Sequence, residues 1–157
     1  MSLQDAVSGL TALQIREARR FAVQYVYQVD LNQQLMFQET GFRVFCSQFN
    51  IAVEETFFVR ELVKGVMEQK DKLDTYITGH SKNWKIQRIG RVDLAIIRVC
   101  IFEMQTRPDL PIDVLIADAA EIGKQFGSAG SSAFINGVLD GVAQELRKIS
   151  PNKQLLE

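Results

Sequence analysis

The chain has 157 residues, of which 46% are hydrophobic and 24% charged, with a formal net charge of −1. This length and composition exclude a disordered tail, a collagen-like fibre and a scaffold that needs disulfides to fold. The near-zero charge argues against nucleic-acid binding by bulk electrostatic attraction alone.

Charge is nevertheless unevenly distributed along the sequence. Residues 82–107 hold six basic and two acidic side chains, whereas residues 109–145 hold six acidic side chains and one lysine. A local basic surface is compatible with this pattern, and so are ordinary solvated helix faces.

We expect neither a membrane-spanning segment nor a secretory signal in this sequence. No apolar stretch reaches 18 residues, and the first ten residues lack the basic start and apolar run of a signal peptide. Cys46 and Cys100 both lie in apolar runs, as buried free thiols do. We therefore expect a cytoplasmic protein without membrane contact, metal or cofactor.

Helical periodicity begins with the first predicted helix. Thr11 and Gln14 have the spacing of a capping box, which places the helix start directly after Thr11. Apolar residues then recur at three- and four-residue steps: Ile15, Ala18, Ala22, Val26 and Val29. The polar residues from Asp30 to Gln34 end the pattern.

Two more helices are predicted before the middle of the chain, where no proline occurs. One covers residues 40–48, with Phe42, Phe45 and the adjoining Phe49 on one face, and the next runs from about Val53 to Ile77. Gly79–Ser81 interrupts the pattern and predicts a junction between subdomains at residues 11–79 and 84–149.

The fourth predicted helix, Arg91–Thr106, ends before Arg107–Pro108, since a proline disfavours helix in the preceding residue. Its middle is apolar nearly all round, which predicts the most buried helix of the protein. The residues expected in the core are Ile96, Ile97, Val99 and Phe102.

Two helices complete the prediction. Pro111 suits the first turn of the fifth helix, and Gly127 suits its C-cap. Ser131 or Ser132 caps the sixth helix, on which Gly137 and Gly141 either permit a close crossing or merely weaken the helix.

The predicted fold is therefore all-α, with about six to seven helices in two packed three-helix bundles. A single domain is expected over residues 11–149. Residues 1–10 are expected to be a flexible N-terminus, and residues 150–157 a C-terminal tail.

No pattern of residues predicts catalysis. His80 is the single histidine and lies in a helix break, where no nucleophile–base set or metal-ligand spacing surrounds it. The sequence also lacks a glycine-rich phosphate-binding motif. A binding protein is expected rather than an enzyme.

Two segments are candidates for binding. The first helix carries Arg16, Arg19, Arg20 and Tyr27 at spacings that we interpret as one face opposite the apolar stripe. Arginine can bind phosphates and tyrosine can stack on bases, although a solvated helix face gives the same pattern. The small residues of loop 127–132 lead into a helix N-terminus, which can receive a phosphate or simply connect two helices.

Several sequence blocks, in order, support a family resemblance. The blocks are Ala22–Asp30, Leu62–Val66, Trp84–Arg98, Phe102–Glu103, Leu110–Val114 and Phe134–Asp140. The most specific are R-I-x-x-V-D-x-A-I-I-R and F-I-N-G-V-L-D. Through them the chain resembles the NusB family of transcription antitermination factors.

The resemblance implies a non-catalytic protein that binds the boxA element of ribosomal RNA leader transcripts as a heterodimer with NusE, a small-subunit ribosomal protein. Other Nus factors and RNA polymerase are implied as indirect partners, and a homodimer is possible. By position, the implied RNA-binding residues are Arg16, Arg19, Tyr27, Lys124, Phe126, Ser131 and Phe134, and we add Arg20 as a local arginine of this chain. The implied partner-facing residues are Asp93 and Glu103.

The chain departs from the family pattern at a few positions. Gly130 replaces an acidic or polar loop residue, Ala133 a common lysine, and Ala117–Asp118 a frequent Asn-Glu pair. Two other functions stay open: an RNA-binding module of an rRNA-modification system, and a helical protein-interaction module without an RNA role.

Overall fold

Helices account for the architecture of the computed structural model, which describes residues 2–82, 84–107 and 109–149. The helices are α1 (Leu3–Val7), α2 (Ala12–Leu31), α3 (Glu39–Gln48), α4 (Val53–Glu68), α5 (Lys70–His80), α6 (Arg91–Thr106), α7 (Ile112–Phe126) and α8 (Ser131–Ile149), with a 3-10 turn at Ile86–Arg88. No strand occurs in these residues, which confirms the all-α prediction. None of the described helices is long and apolar enough to cross a membrane.

Helix α2 begins where the capping box predicts. The Thr11 hydroxyl accepts a hydrogen bond from the Gln14 amide at 3.1 Å, and the Gln14 side chain accepts one from the Thr11 amide at 2.9 Å. The two bonds satisfy amide groups that the start of an α-helix leaves unpaired. The three- and four-residue spacing of the apolar side chains then places Ala18, Ala22 and Val26 on the inward face of α2.

Helix α6 is the central element of the fold. Every residue from Leu94 to Met104 is buried, and the helix contacts α2, α4, α5, α7 and α8. Gly65 of α4 lies so close to the Phe102 ring that a Cβ at this position would overlap it. The predicted bounds and burial of this helix are confirmed, and the two helices cross closely because Gly65 has no side chain.

The N-terminus differs from the flexible segment expected over residues 1–10. Helix α1 begins with a capping box between Ser2 and Asp5, and it packs against α4. Leu3 and Val7 are buried there, since residues four apart share one face of a helix. The tail expected at 150–157 lies outside the described residues.

The third predicted helix is divided at Gln69 into α4 and α5. Gln69 has φ −112° and ψ 19°, which are outside helical values. Helical backbone hydrogen bonds nevertheless continue on either side: the Gln69 amide donates to the Gly65 carbonyl, and the Leu73 amide donates to the Gln69 carbonyl. Because of this bend, α5 packs against α6 and α8. The subdomain division at residues 79 and 84 stays a prediction, while a single hydrophobic core joins all the helices.

The two glycines of α8 have different surroundings. A Cβ on Gly141 would lie 2.6 Å from Nδ1 of His80, whereas a Cβ on Gly137 would meet nothing within 4 Å. Gly141 therefore permits the close contact of α8 with α5. His80 completes that contact through a 2.6 Å hydrogen bond between its Nε2 and Glu145.

The start of α4 carries a carboxyl group in an unfavourable environment. Burial, the nearby charge of Glu17 and a hydrogen bond with it all raise the pKa of Glu55. The folded protein therefore disfavours the ionised form of Glu55. The stability that protonated Glu55 contributes is complete below its pKa in the unfolded chain, and it is lost as pH rises through its pKa in the folded protein.

We expect Glu55→Gln to raise the free energy of unfolding at pH 7. The gain should disappear below about pH 4, where Glu55 is protonated in both folded and unfolded chains. Urea denaturation at several pH values measures this effect. The matched control is Asp71→Asn, which removes an exposed negative charge from the first turn of α5, where such a charge also interacts favourably with the helix dipole. An equal response of both variants would contradict the assignment.

Candidate nucleic-acid interface

Three of the four residues singled out on the first helix share a surface stripe of α2. Arg16, Arg20 and Tyr27 are separated by four and seven residues, which stacks them on one side of the helix. Arg16 is exposed, whereas Arg20 and Tyr27 are partly buried. This stripe can present positive charge and an aromatic ring to a ligand.

Arg19 does not belong to the stripe, because its side chain is only 4% exposed. It follows Ile15 by four residues and precedes Ala22 by three, so it lies in register with the apolar stripe and points inward. The guanidinium donates to both carboxylate oxygens of Glu103, at 2.5 and 2.9 Å, and to Asp118 at 2.6 Å. Direct contact of Arg19 with RNA, expected from the resemblance, is therefore wrong for this structure.

Glu103 is likewise an interior residue, with no exposed surface. It accepts hydrogen bonds from Arg19 and, at 2.9 Å, from Arg107 one turn along α6. The partner-facing role expected for Glu103 is therefore incompatible with its position. A buried charge must be paired to be tolerated, and these two arginines provide the pairing.

The interior charges act on one another. Burial alone would lower the pKa of the Arg19 guanidinium, but the carboxylates of Glu103 and Asp118 outweigh it and raise that pKa further above its ordinary value. Burial also raises the pKa of the neighbouring Cys100 thiol, with the charge of Glu103 acting in the same direction. Arg19 is thus a permanent cation, and Cys100 is an uncharged core residue.

Asp118 connects this interior network to the surface. Its second carboxylate oxygen lies 3.0 Å from Nη2 of Arg20. Arg20 also donates to the backbone carbonyl of Arg16 at 3.1 Å and to the Gln125 side chain at 3.3 Å. These contacts hold Arg20 in one orientation and attach the stripe of α2 to the C-terminal half of α7.

The corner between α7 and α8 supplies the other predicted residues. Lys124 is exposed, Phe126 is 53% exposed and Phe134 is partly buried. Ser131, by contrast, is buried, and its hydroxyl accepts a hydrogen bond from the Ser128 amide at 2.9 Å. Ser131 closes the loop in this structure and is not open to a ligand, which corrects its expected role.

We call Arg16, Arg20, Tyr27, Lys124 and Phe126 the α2–α7 face. Arg20 contacts Gln125, the residue between Lys124 and Phe126, and this contact brings the C-terminal end of α7 close to the stripe of α2. The face combines three cations with two aromatic rings. Such a combination suits phosphates and unpaired bases.

Asp93 lies beside this region, at the start of α6. Burial raises the pKa of its carboxyl group, and proximity to the Ser131 hydroxyl, which favours the ionised form, partly opposes the shift. The contact places the beginning of α6 next to the beginning of α8. Asp93 is partly buried, so part of its side chain remains open to a partner.

Sequence reasoning missed three residues that organise the site: Arg107, Asp118 and Gln125. A signal for Asp118 was present, because it follows Leu115 by three residues and precedes Ile122 by four on the apolar stripe of α7. Arg19 occupies the same kind of position on α2. Two opposite charges on two core-facing stripes predict a buried ion pair.

Comparisons with known proteins bear on the family. A profile of the NusB family matches residues 16–144. The chain is 42% identical over 129 residues to the transcription antitermination protein NusB of Desulforapulum autotrophicum, covering 81% of this chain and 89% of that protein. It is 38% identical over 133 residues to NusB of Bacillus pumilus, covering 85% of this chain and 97% of that protein.

The fold agrees with these matches. A chain in the crystal structure of antitermination factors NusB and NusE in complex with dsRNA superposes with a TM-score of 0.75. The two chains are 20% identical, and the superposition covers 86% of this chain and 99% of the other. The chain therefore belongs to the NusB family.

Proposed function

We propose that the chain is a transcription antitermination factor that binds boxA RNA in rRNA leader transcripts together with NusE and suppresses premature termination by RNA polymerase. The observation that carries the proposal is the family match over residues 16–144, which contains the whole α2–α7 face. Its role is binding rather than catalysis, with other Nus factors as indirect partners. It would act in the cytoplasm, beside the transcribing polymerase.

The partners follow from the relatives. The similar proteins of D. autotrophicum and B. pumilus are named for transcription antitermination. A structural neighbour has been crystallised with NusE and dsRNA. We infer that this chain binds RNA and NusE in the same assembly.

The α2–α7 face indicates how RNA would be held. Arg16 and Lys124 are exposed cations that can bind phosphates, while Arg20 is held in place by Asp118 and needs little further ordering. Tyr27 offers a ring for base stacking. Since the net charge is −1, affinity depends on these few contacts and on basic residues that NusE contributes.

Two substitutions test the face by different physical signatures. Arg16→Ala should flatten the log–log dependence of boxA affinity on salt by about 0.7, as expected for one phosphate contact to a single strand. Tyr27→Ala should instead cost about 1–3 kcal/mol with little salt dependence, because stacking is not ionic. Filter binding with NusE present, at several salt concentrations, measures both effects.

Matched variants control for nonspecific effects. Arg43→Ala removes an exposed arginine of α3, outside the face, and should leave both affinity and salt dependence unchanged. Tyr27→Phe keeps the ring and should retain most of the affinity. Parental binding by both Arg16→Ala and Tyr27→Ala would refute the face.

Asp93 remains our proposed contact for NusE, now without Glu103. Asp93→Arg reverses a charge at the partly exposed start of α6, and we expect weaker association with NusE together with an unchanged helical circular dichroism spectrum. Calorimetry with purified NusE measures the affinity. Parental affinity for a folded variant would place the NusE contact elsewhere.

A further inference from the structure

A second surface of the protein, between α5 and α6, combines basic side chains with an exposed indole. Trp84 is 54% exposed, although it is the largest side chain of its segment. The basic residues around it are all exposed: Lys82, Lys85, Arg88 and Arg91. No acidic residue occurs from Ser81 to Val92. We call Lys82 and residues 84–91 the basic linker.

The backbone of the linker is held in place. The buried Ser81 donates a 2.8 Å hydrogen bond from its hydroxyl to the Trp84 carbonyl, and the Trp84 amide donates to the Ser81 carbonyl at 3.1 Å. Beyond the 3-10 turn, Ile89 is buried in the core. The apolar side chain of Ile89 is thus covered while that of Trp84 is left in solvent.

The basic side chains have little internal neutralisation. Among residues 2–82, 84–107 and 109–149, no carboxylate oxygen lies within 4.0 Å of the charged groups of Lys82, Lys85 or Arg88. Arg91 reaches Asp30 at 3.3 Å and remains half exposed. Lys82, Lys85 and Arg88 can therefore form ion pairs with a negatively charged ligand.

The linker adjoins the α2–α7 face. Arg91 contacts Asp30, which follows Tyr27 by three residues, about one helical turn, on α2. Two residues after Arg91, Asp93 lies next to Ser131 at the start of α8. The Arg91 end of the linker therefore lies close to the Tyr27 end of the α2–α7 face.

We propose that the basic linker binds single-stranded RNA, with an unpaired base stacked on Trp84 and phosphates paired with Lys85 and Arg88. The inference rests on the proposed function and extends it to nucleotides that flank those on the α2–α7 face. Single strands suit the linker because a paired base cannot offer its face to an indole. A protein partner suits it less, because the linker's other exposed side chains are charged or polar, whereas the buried centre of a protein interface is depleted in charge.

Trp84 provides a local probe, since it is the only tryptophan in the chain. Two labelled RNAs would be compared: the boxA core alone, and the core extended on both sides by about ten unpaired nucleotides, a length within the usual range of single-strand sites. Fluorescence anisotropy of the label reports total binding. Tryptophan emission reports the linker, and we expect the extended RNA to quench it at saturation more strongly than the core does.

Variants separate stacking from charge. Trp84→Ala should weaken binding of the extended RNA about tenfold, within the range for one stacked base, and Trp84→Phe should restore most of it. Lys85→Ala combined with Arg88→Ala should flatten the salt dependence by about 1.4, for two phosphate contacts. Lys64→Ala, an exposed lysine of α4, is the control and should change neither quantity.

The outcomes distinguish the two proposals. Binding of RNA without a change in Trp84 emission, or parental affinity of Trp84→Ala for the extended RNA, overturns the linker proposal and leaves the α2–α7 face intact. Failure of both RNAs to bind, with NusE present, overturns both proposals. A change in Trp84 emission caused by NusE in the absence of RNA assigns the linker to a protein contact and also overturns the inference.

Discussion

Replacing Glu103 by alanine is expected to lower the free energy of unfolding by about 3–5 kcal/mol. Glu103 has no exposed surface and pairs with both Arg19 and Arg107. Its removal leaves the Arg19 guanidinium with Asp118 as its only carboxylate partner in the described structure. A water molecule in the vacated space would carry no negative charge, so the cost is that of an incompletely compensated buried charge.

Urea denaturation followed by circular dichroism measures this loss. Glu39→Ala serves as the control, because Glu39 also pairs with two arginines, Arg43 and Arg60, but at a largely exposed site. Surface pairs of this kind contribute about 0–1 kcal/mol. If Glu103→Ala costs no more than Glu39→Ala, the network is not the stabilising element that its burial indicates.

The second large effect is expected at the crossing of α4 and α6. Phe102→Ala should cost about 3–5 kcal/mol, because it removes a buried ring and leaves a cavity beside Gly65. Gly65→Ala should also destabilise the parent, by about 1–3 kcal/mol, since the new methyl group overlaps that ring.

A double-mutant cycle tests the contact itself. In the Phe102→Ala background the overlap is absent, so Gly65→Ala should become neutral or stabilising by about 0.5–1 kcal/mol, the ordinary preference for alanine inside a helix. The sign of the effect is therefore expected to reverse between the two backgrounds. Equal effects of Gly65→Ala in both would show that the glycine is not needed for the approach of the ring.

Local chemistry accounts for the elements that were predicted correctly. The cap at Thr11 and the pre-proline restriction after Arg107 act over a few residues, and so the bounds of α2 and α6 agree with expectation. The bend at Gln69 has no such signal, because neither glycine nor proline occurs there. Helix α1 is too short to be stable alone and is held by burial of Leu3 and Val7 against α4.

The residues of the candidate site likewise fall into those whose exposure follows from the sequence pattern and those that only the structure places. Exposure of Arg16 and Lys124 follows from their distance from the apolar stripes. The assignment of Arg19 was wrong because spacing was interpreted as a surface face without testing its register against Ile15 and Ala22. The blocks from Ala22 to Asp140 led to the family, while the structure alone shows that Ser131 closes a loop.

The sequence by itself determined the helical class, the core position of α6, the family and the residue types available for binding RNA. Each of these depends on periodicity or on short motifs, which are properties of neighbouring residues. The register of α2 already indicates that Arg19 faces inward, and only the tertiary structure decided which carboxylates pair with it. Arg19 and Arg20 are adjacent in the chain, yet Arg19 is buried between Glu103 and Asp118 whereas Arg20 remains partly exposed. The physical reason is that a buried charge requires a partner, and the partners of Arg19 come from α6 and α7, more than 80 residues away in the sequence.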